Sequence, residues 1–464
     1  MTNRKHIHFI GICGVGMSAI AIALHQKGYY ITGSDKGFYP PVSTKLKETG
    51  IVFYPGWHVE KMIKNGDPDL VVVGNVAGST NPEWVYTQEK KIQYKSYPEI
   101  LADFFIKENS IVCAGNFGKT TTSALIAWIL KENNNSPSYM FGGIATHTFP
   151  SAEIATGQYS VLEGDEYKTA RWDMRPKFLL YKPTHLLLTS ISWDHADLYP
   201  TEESYNQQFE KLISLVPKNG LIVACADGKN VKKHLKKNQS SVVFYGKDKH
   251  NSYTYDNIIH TKNGLSFNIT HKDISYHITS PLIGMFMVEN ICGAFAMAHQ
   301  LGIPTNSIVE AISNFTGIKR RLEKRCEKDI TVFDDIAHSP EKATSVLKTI
   351  KQTYTGKIIT IFEPNTGNRD IASIPQYANA FIDSDTVIIP RLSTLKKAKN
   401  TKPPMDGATL SEVIKKTHKN THYIEDDEQL VQYILDHTKK EDVVIFLGSH
   451  GFRNMIETIC EKID

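Results

Sequence analysis

The segment Ala114-Gly115-Asn116-Phe117-Gly118-Lys119-Thr120-Thr121-Thr122 has residue types and spacing suited to holding a phosphate. Glycines let a turn aim backbone N–H groups at an anion, a lysine adds a point charge, and a threonine hydroxyl can hold Mg2+. The longer Gly-x-x-x-x-Gly-Lys-Ser/Thr form would put glycine at position 113, where this chain has Cys113, so the loop is a shortened variant. Two acidic segments could complement it, Leu162-Glu163-Gly-Asp165-Glu166 and Ser192-Trp-Asp194-His195-Ala-Asp197. Carboxylates and a histidine at the ends of strands beside a phosphate loop can collect Mg2+ next to a transferred phosphate. Zinc is a poorer match, because a lone histidine among aspartates equally suits a hard cation.

Other segments carry weaker signals. Gly11-Ile-Cys-Gly14-Val-Gly16-Met17-Ser18 lacks the Gly-x-Gly-x-x-Gly spacing, yet it stands where a pyrophosphate meets a helix N-terminus. Asp35, nineteen residues after Gly16, is placed to meet a ribose. Read alone, this turn also admits a nicotinamide-dependent oxidoreductase. Near the C-terminal third, Arg320-Arg321 precedes a strand and Asp334-Asp335 follows it, a pattern that by itself describes surface charge. Leu447-Gly448-Ser449-His450-Gly451-Phe452 reads as a strand-end turn.

These residues need strands and helices to hold them. Three stretches run strand, glycine or polar turn, helix, and predict three α/β units. In the first, strands are expected at Ile7–Ile12, Tyr30–Gly33, Ile51–Tyr54 and Leu70–Val73. The second has a strand at Ser110–Ala114, a helix over Thr121–Leu130, and strands at Tyr159–Leu162, His185–Ser190 and Gly220–Ala224. Short alternating runs from Ser240 to Ile278 predict antiparallel strands at one edge. The third is expected to hold strands at Ile330–Phe333, Lys357–Phe362, Thr386–Ile389 and Asp442–Leu447. The expected domains are therefore 1–108, 109–315 and 316–464, in line with 464 residues at roughly 100 to 200 per domain.

Composition narrows the partners. Hydrophobic residues make up 41% and charged residues 22%, as in a globular protein with buried cores. With 53 Lys and Arg against 49 Asp and Glu, the excess of +4 argues against nucleic acid or an anionic membrane as partner. The lysine-rich runs Lys232-Lys233-His-Leu-Lys236-Lys237 and Lys396-Lys397-Ala-Lys399-Asn-Thr-Lys402-Pro403-Pro404 read as solvated surface. Cys13, Cys113, Cys225, Cys292, Cys326 and Cys460 show no metal-ligand spacing and read as buried thiols. Neither a secretory signal nor an apolar run of ~20 residues is evident, so the expectation is a cytoplasmic protein without membrane insertion, monomeric or weakly dimeric.

Together and in this order, these segments resemble the Mur ligase family, in particular its members that use UDP-N-acetylmuramate. The resemblance implies an α/β protein of three domains: a Rossmann-like UDP-sugar domain, a central P-loop ATPase-like domain and a C-terminal Rossmann-like domain. It implies that Gly14, Gly16, Met17, Ser18, Ser34, Asp35 and Asn75 lie along the UDP-sugar, with Asn81-Pro82-Glu83 in a further matching segment. ATP would be held by Gly115, Asn116, Phe117, Gly118, Lys119, Thr120, Thr121, Asn290, Arg321 and Asp335. Thr120, Glu163 and His195 would hold Mg2+, and Lys119, Glu163, His195 and Arg321 would carry catalysis.

The implied reaction joins the lactyl carboxylate of UDP-N-acetylmuramate to an amine through an acyl phosphate. Tyr39-Pro40-Pro41-Val-Ser43-Thr44, Asp165-Glu166-Tyr-Lys-Thr-Ala170, Asp173-Met-Arg175-Pro-Lys177-Phe178 and Phe362-Glu363-Pro364 look like the branch that attaches an L-alanyl tripeptide in wall recycling. The glycine turn with Met17-Ser18 looks like the branch that adds L-alanine, so both acceptors stand. Asn116 and Phe117 replace the usual Thr and His or Asn, Phe286-Met287 replaces a His-Asn pair near the adenine, Asn365 replaces an Arg, and His450 interrupts an Asn-Gly-Gly-Phe turn. Phe117, Phe286 and Met287 motivate a competing expectation, a degenerate relative that binds UDP-sugar without turnover. Lys211, near the place where some relatives carboxylate a lysine, is not expected to be modified.

Overall fold

Apolar runs flanked by glycine and polar turns become the central strands of three sheets, as expected for strands covered on both faces. The structure, a computed structural model, describes residues 4–38, 40, 42–146, 149–195, 198–236, 239–393 and 404–463. The expectations for Tyr39, Pro41, Asp197, Lys237, Lys396, Lys397, Lys399, Lys402 and Pro403 lie outside the described residues. Two compact units are formed: Met1–Ile258 with Ser266–Ser280 and Phe286–Thr316, and Gly317–Asp464 with Ile259–Leu265 and Pro281–Met285.

The first unit contains two sheets. Strands β1 (His6–Ile10), β2 (Tyr30–Asp35), β3 (Val52–Pro55), β4 (Leu70–Val73) and β5 (Tyr94–Ser96) pair in parallel in the order 3-2-1-4-5. The strand order reverses beside β1, the kind of switch point where ligands settle at the C-terminal strand ends. Helix Val15–Gln26 begins there, directly after the glycine turn.

The other sheet has ten strands: β6 (Asn109–Ala114), β7 (Ser138–Met140), β8 (Ala152–Glu153), β9 (Tyr159–Gly164), β10 (His185–Leu188), β11 (Leu221–Cys225), β12 (Ser241–Gly246), β13 (Tyr253–Thr261), β14 (Gly264–His271) and β15 (Ile274–Ser280). Their order is 15-14-13-12-11-10-6-9-7-8. The expected antiparallel edge needs correction at its start, because β12 pairs in parallel with β11 and β13 in parallel with β12. From β13 on, two-residue turns at Lys262-Asn263 and Lys272-Asp273 link neighbouring strands, as antiparallel pairing requires. Alternation alone does not reveal that Ser241–Gly246 continues the parallel layer.

In the second unit, β16 (Glu323–Glu327), β17 (Thr331–Asp335), β18 (Ile358–Glu363), β19 (Thr386–Pro390), β20 (Thr421–Ile424) and β21 (Val443–Gly448) form one sheet in the order 16-17-21-18-19-20. Only β16 runs antiparallel to its neighbour. Cys326 on β16 is bonded to Cys460 in the last helix, with Cα atoms 5.9 Å apart and a separation of 134 positions in sequence. The expectation of thiols throughout is thus corrected for this pair, whose separation hides it from any spacing argument. Cys113, Cys225 and Cys292 are buried thiols as expected. Lys232, Lys233 and Lys236 are exposed, matching the solvated reading. No helix among the described residues is long and apolar enough to cross a membrane.

Beneath the first sheet lies a chain of buried polar groups. His6 Nε2 and His8 Nδ1 both meet Thr32 Oγ1, at 2.8 and 2.7 Å. Burial, with His8 nearby, pushes the pKa of His6 down to about 4 against the raising influence of Asp69. An unfolded chain takes up this proton near pH 6.5, before the folded one does. First-unit stability is therefore expected to be complete above about pH 6.5 and to fall by on the order of 3 kcal/mol as pH drops to about 4. Urea unfolding followed at several pH values should show this slope, and a flatter one in His6→Gln.

Candidate active site

Strand β6 ends at Ala114 and helix Lys119–Glu132 starts five residues later, so the loop between them lies at a strand end and a helix N-terminus. Gly115 and Gly118 have φ of +131° and +76°. A Cβ on Gly115 would lie 2.1 Å from Thr189 Oγ1, and one on Gly118 2.1 Å from Asn290 Oδ1. Only glycine fits either place, and the Asn290 side chain lies against the loop. Thr189 donates to the Phe117 carbonyl at 2.8 Å, while the Phe117 ring is 44% exposed. Gly118→Ala should weaken ADP binding about ten- to a hundredfold by calorimetry with the fold retained, the size of one strained backbone position.

The side chains around the loop form two groups. Thr120 Oγ1 donates to Glu163 Oε1 at 2.8 Å, and the backbone N–H of Gly142 donates to Glu163 Oε2 at 2.6 Å. Lys119 Nζ donates to the Gly115 carbonyl at 2.6 Å and lies 2.9 Å from Glu166 Oε2. Burial alone would lower the pKa of Lys119, but Glu166, Asp165 and Glu163 together raise it. His195, in a left-handed conformation at φ +55°, has Nε2 3.6 Å from Glu166 Oε1. The neighbouring Glu166 carboxylate raises its pKa against the effect of burial. Ligand atoms of Glu166, Asp194 and His195 all lie within 4.8 Å of one another. Thr121 is buried in the first turn of the helix.

The expected set of Thr120, Glu163 and His195 thus divides into a Thr120–Glu163 pair and a Glu166–Asp194–His195 group. Glu166, expected only as part of an acidic segment able to collect Mg2+, connects the second group to Lys119. Its signal was modest: an acid just past the end of a buried strand, with two further acids beside it. The donors are a hydroxyl, carboxylates and one imidazole, chiefly hard oxygens, so the residues present fit Mg2+.

At the first sheet, Gly14 caps helix Val15–Gln26 and Gly16 packs in its first turn against the Tyr97 ring. Met17 and Ser18 are buried, and Ser18 Oγ donates to the Val15 carbonyl at 3.0 Å. Asp35 Oδ2 accepts from the backbone N–H of Cys13 at 2.8 Å, fixing the glycine turn. Ser34 is fully buried: its hydroxyl faces Glu83 Oε2 at 2.5 Å, and its carbonyl accepts from Gly11 and Ile12. Its carbonyl therefore holds the turn, while its side chain points inward to Glu83. Asn75 is exposed, and its carbonyl accepts from Arg171 Nε at 2.9 Å. Val15, Ser18, Val42, Lys45, Ile144 and Ser151 line a cavity of about 220 Å³ beside this helix start.

In the second unit, Asp335 is buried and accepts from the backbone N–H groups of Leu322 at 2.6 Å and Ala337 at 2.7 Å. Burial raises its pKa, and the charge of Arg321 opposes the rise. Arg320 instead ties the turn after β21, donating to the carbonyls of Gly448 at 2.6 Å and His450 at 2.8 Å.

A parallel sheet bearing a glycine loop, a lysine at a helix N-terminus and carboxylates on the next strand defines a phosphate-loop enzyme of the kind that handles nucleoside triphosphates. Three family profiles match in succession: "Mur ligase family, catalytic domain" over residues 6–108, "Mur ligase middle domain" over 113–298 and "Mur ligase, glutamate ligase domain" over 320–450. The UDP-N-acetylmuramate–L-alanyl-γ-D-glutamyl-meso-2,6-diaminoheptandioate ligase of Haemophilus influenzae is 30% identical over 465 residues, covering 99% of each chain. The UDP-N-acetylmuramate–L-alanine ligase of Caldicellulosiruptor saccharolyticus is 31% identical, covering 98% of each. The crystal structure of the UDP-N-acetylmuramate–alanine ligase from Thermotoga maritima superposes with a TM-score of 0.79 at 23% identity, covering 99% of each chain, and so shares the fold. The chain belongs to the Mur ligase family of ATP-dependent enzymes that form carbon–nitrogen bonds.

Proposed function

We propose that the protein joins the lactyl carboxylate of UDP-N-acetylmuramate to the amine of L-alanine or of the peptide L-alanyl-γ-D-glutamyl-diaminopimelate, in peptidoglycan synthesis or recycling. The observation that carries this reading is the phosphate loop, with Lys119 and Thr120 each paired to a carboxylate at the end of β9. The names of the two relatives above support the substrates.

A carboxylate is a poor electrophile because its leaving group would be oxide. In the proposed reaction its oxygen attacks the γ-phosphorus of ATP, ADP leaves, and the amine attacks the resulting acyl phosphate, expelling phosphate. Lys119 and the loop N–H groups would stabilise charge on the transferring phosphoryl group. Thr120, Glu163 and His195 would hold Mg2+, which neutralises phosphate charge when bound. Gly115, Phe117, Gly118, Thr121, Asn290, Arg321 and Asp335 would complete the ATP site, with Asn116 acting through the loop it anchors. The UDP-sugar would lie along Gly14, Gly16, Met17, Ser18, Asp35 and Asn75, with Ser34 acting through the turn it supports. The segments 1–108, 109–315 and 316–464 would serve as UDP-sugar, ATP and ligase domains of a cytoplasmic monomer or weak dimer.

Phosphate release from ATP and UDP-N-acetylmuramate, measured once with L-alanine and once with the tripeptide, tests this. The amine with the higher kcat/KM is the acceptor. Release with neither would overturn the proposal.

A further inference from the structure

One polar side chain of the phosphate loop is directed away from the space in front of it. Asn116 Oδ1 accepts from the backbone N–H of Ser192 at 2.5 Å, and its Nδ2 donates to the Ser192 carbonyl and to Tyr205 Oη, the latter at 2.7 Å. A backbone N–H can only donate and a carbonyl can only accept, so these contacts fix the amide in one orientation. The backbone N–H of Asn116 also donates to the Ser190 carbonyl at 3.3 Å. The loop and the segment leading to Asp194 and His195 are therefore joined much as neighbouring strands are, by one amide standing in for a peptide unit.

The same amide reaches the other acidic segment. The Tyr205 ring packs edge-on against Tyr199 at 5.3 Å, and the Tyr199 hydroxyl donates to the Glu166 carbonyl at 2.5 Å. Asn116 thus touches, directly or through two tyrosines, both segments that supply the Glu166–Asp194–His195 group. Four bonds within the segment do not fix its distance from the loop: the Leu198 and Tyr199 N–H groups both donate to the His195 carbonyl at 2.9 Å, the Asp194 carboxylate accepts from the His195 N–H at 2.7 Å, and Trp193 Nε1 donates to the Tyr199 carbonyl at 2.8 Å.

We infer that Asn116 is a positioning residue that sets the spacing between the phosphate loop and the Asp194–His195 segment, which carries the proposed cation ligand His195, so that nucleotide and cation bind as a coupled pair. The inference rests on the ATP and Mg2+ reading above. Without the amide clamp, the loop can still offer its N–H groups to a phosphate and stays bonded to Thr189 and Ser190, but the stretch from Ser192 to His195 loses its own bonds to the loop. Loss of the clamp should therefore fall on the coupling more than on nucleotide affinity alone.

Calorimetry with ADP, in the presence and absence of Mn2+, measures that coupling as the ratio of the two dissociation constants. In the unaltered protein Mn2+ should tighten ADP binding. In Asn116→Ala that tightening should shrink by about fivefold or more, with ADP affinity in the absence of Mn2+ changed by less than about twofold. Asn116→Asp keeps the acceptor for Ser192 N–H and loses the donor, so it should fall between the two. Amide hydrogen exchange should speed up at Trp193–His195 in Asn116→Ala, with exchange in the central strands unchanged. If the unaltered protein binds no ADP, the nucleotide reading falls and the inference falls with it. If both variants keep the full Mn2+ effect, or lose ADP affinity equally with and without Mn2+, the inference alone is overturned.

Discussion

Lys119→Ala is expected to lower ATP-dependent phosphate release by about a thousandfold, the scale seen when one preorganised charge facing a transferring phosphoryl group is removed. Loss of activity would not be its only effect. Glu166 is 2% exposed and pairs with Lys119 at 2.9 Å, so the alanine variant leaves a buried carboxylate with its main cation gone. Removing one partner of a buried pair costs about 3–5 kcal/mol, and His195, 3.6 Å from the same carboxylate, would offset part of that. The double variant Lys119→Ala with Glu166→Gln separates the two effects. It should regain most of the lost unfolding free energy in urea and none of the phosphate release. If the single variant were as stable as the parent, the buried pair would not contribute as argued; if it kept near-normal release, Lys119 would not face the phosphoryl group.

The second large effect is expected beside the first sheet, at Glu83. This carboxylate is fully buried. Its Oε1 accepts from Tyr54 Oη and from the His58 backbone N–H, both at 2.8 Å, and its Oε2 meets Ser34 Oγ and, at 3.5 Å, His8 Nε2. The local sequence sets it there: Asn81 caps the helix by accepting from Trp84 N–H at 3.0 Å, Pro82 takes the first helical position, and Glu83 follows. Burial would raise the carboxyl pKa, yet the partners led by His8 hold it below the usual value. Glu83→Ala strands several buried polar groups at once and should destabilise the first unit by about 3–5 kcal/mol. It should also weaken UDP-sugar binding, because Ser34 supports the glycine turn through its carbonyl. Urea unfolding and a UDP-N-acetylmuramate titration would check both; unchanged unfolding would show that the network is not needed.

What the sequence disclosed follows from how far apart the interacting residues are. The phosphate loop was legible because strand, glycines, Lys119-Thr120 and helix lie in one short segment, and each constrains the others. The longer buried strands were legible for the same reason, with ends shifted by up to two residues, whereas β5, β7, β8, β16 and β20, short or at a sheet edge, were not expected. The role of Glu166 was not legible, since its partners Lys119 and His195 are 47 and 29 residues away and only the fold brings them together. Ser34 reads as a ligand residue beside Asp35, but strand alternation turns it inward to Glu83, 49 residues on. The parallel start of the long sheet's edge was hidden because alternating residues suit either direction of pairing. Phe286 and Met287 look like a loss near the nucleotide, whereas Asn290, one turn further along the same helix, is kept against Gly118.

The bond between Cys326 and Cys460 has a topological consequence. It joins the first strand of the six-stranded sheet to the final helix, so nearly all of that sheet lies within one covalent ring. The denatured form of this region is cyclic, and closing a loop of this length removes on the order of 5 kcal/mol of chain entropy from it. A protease that cuts once between residues 327 and 459 would linearise the ring without releasing a fragment. The two pieces would part only when a reductant is added.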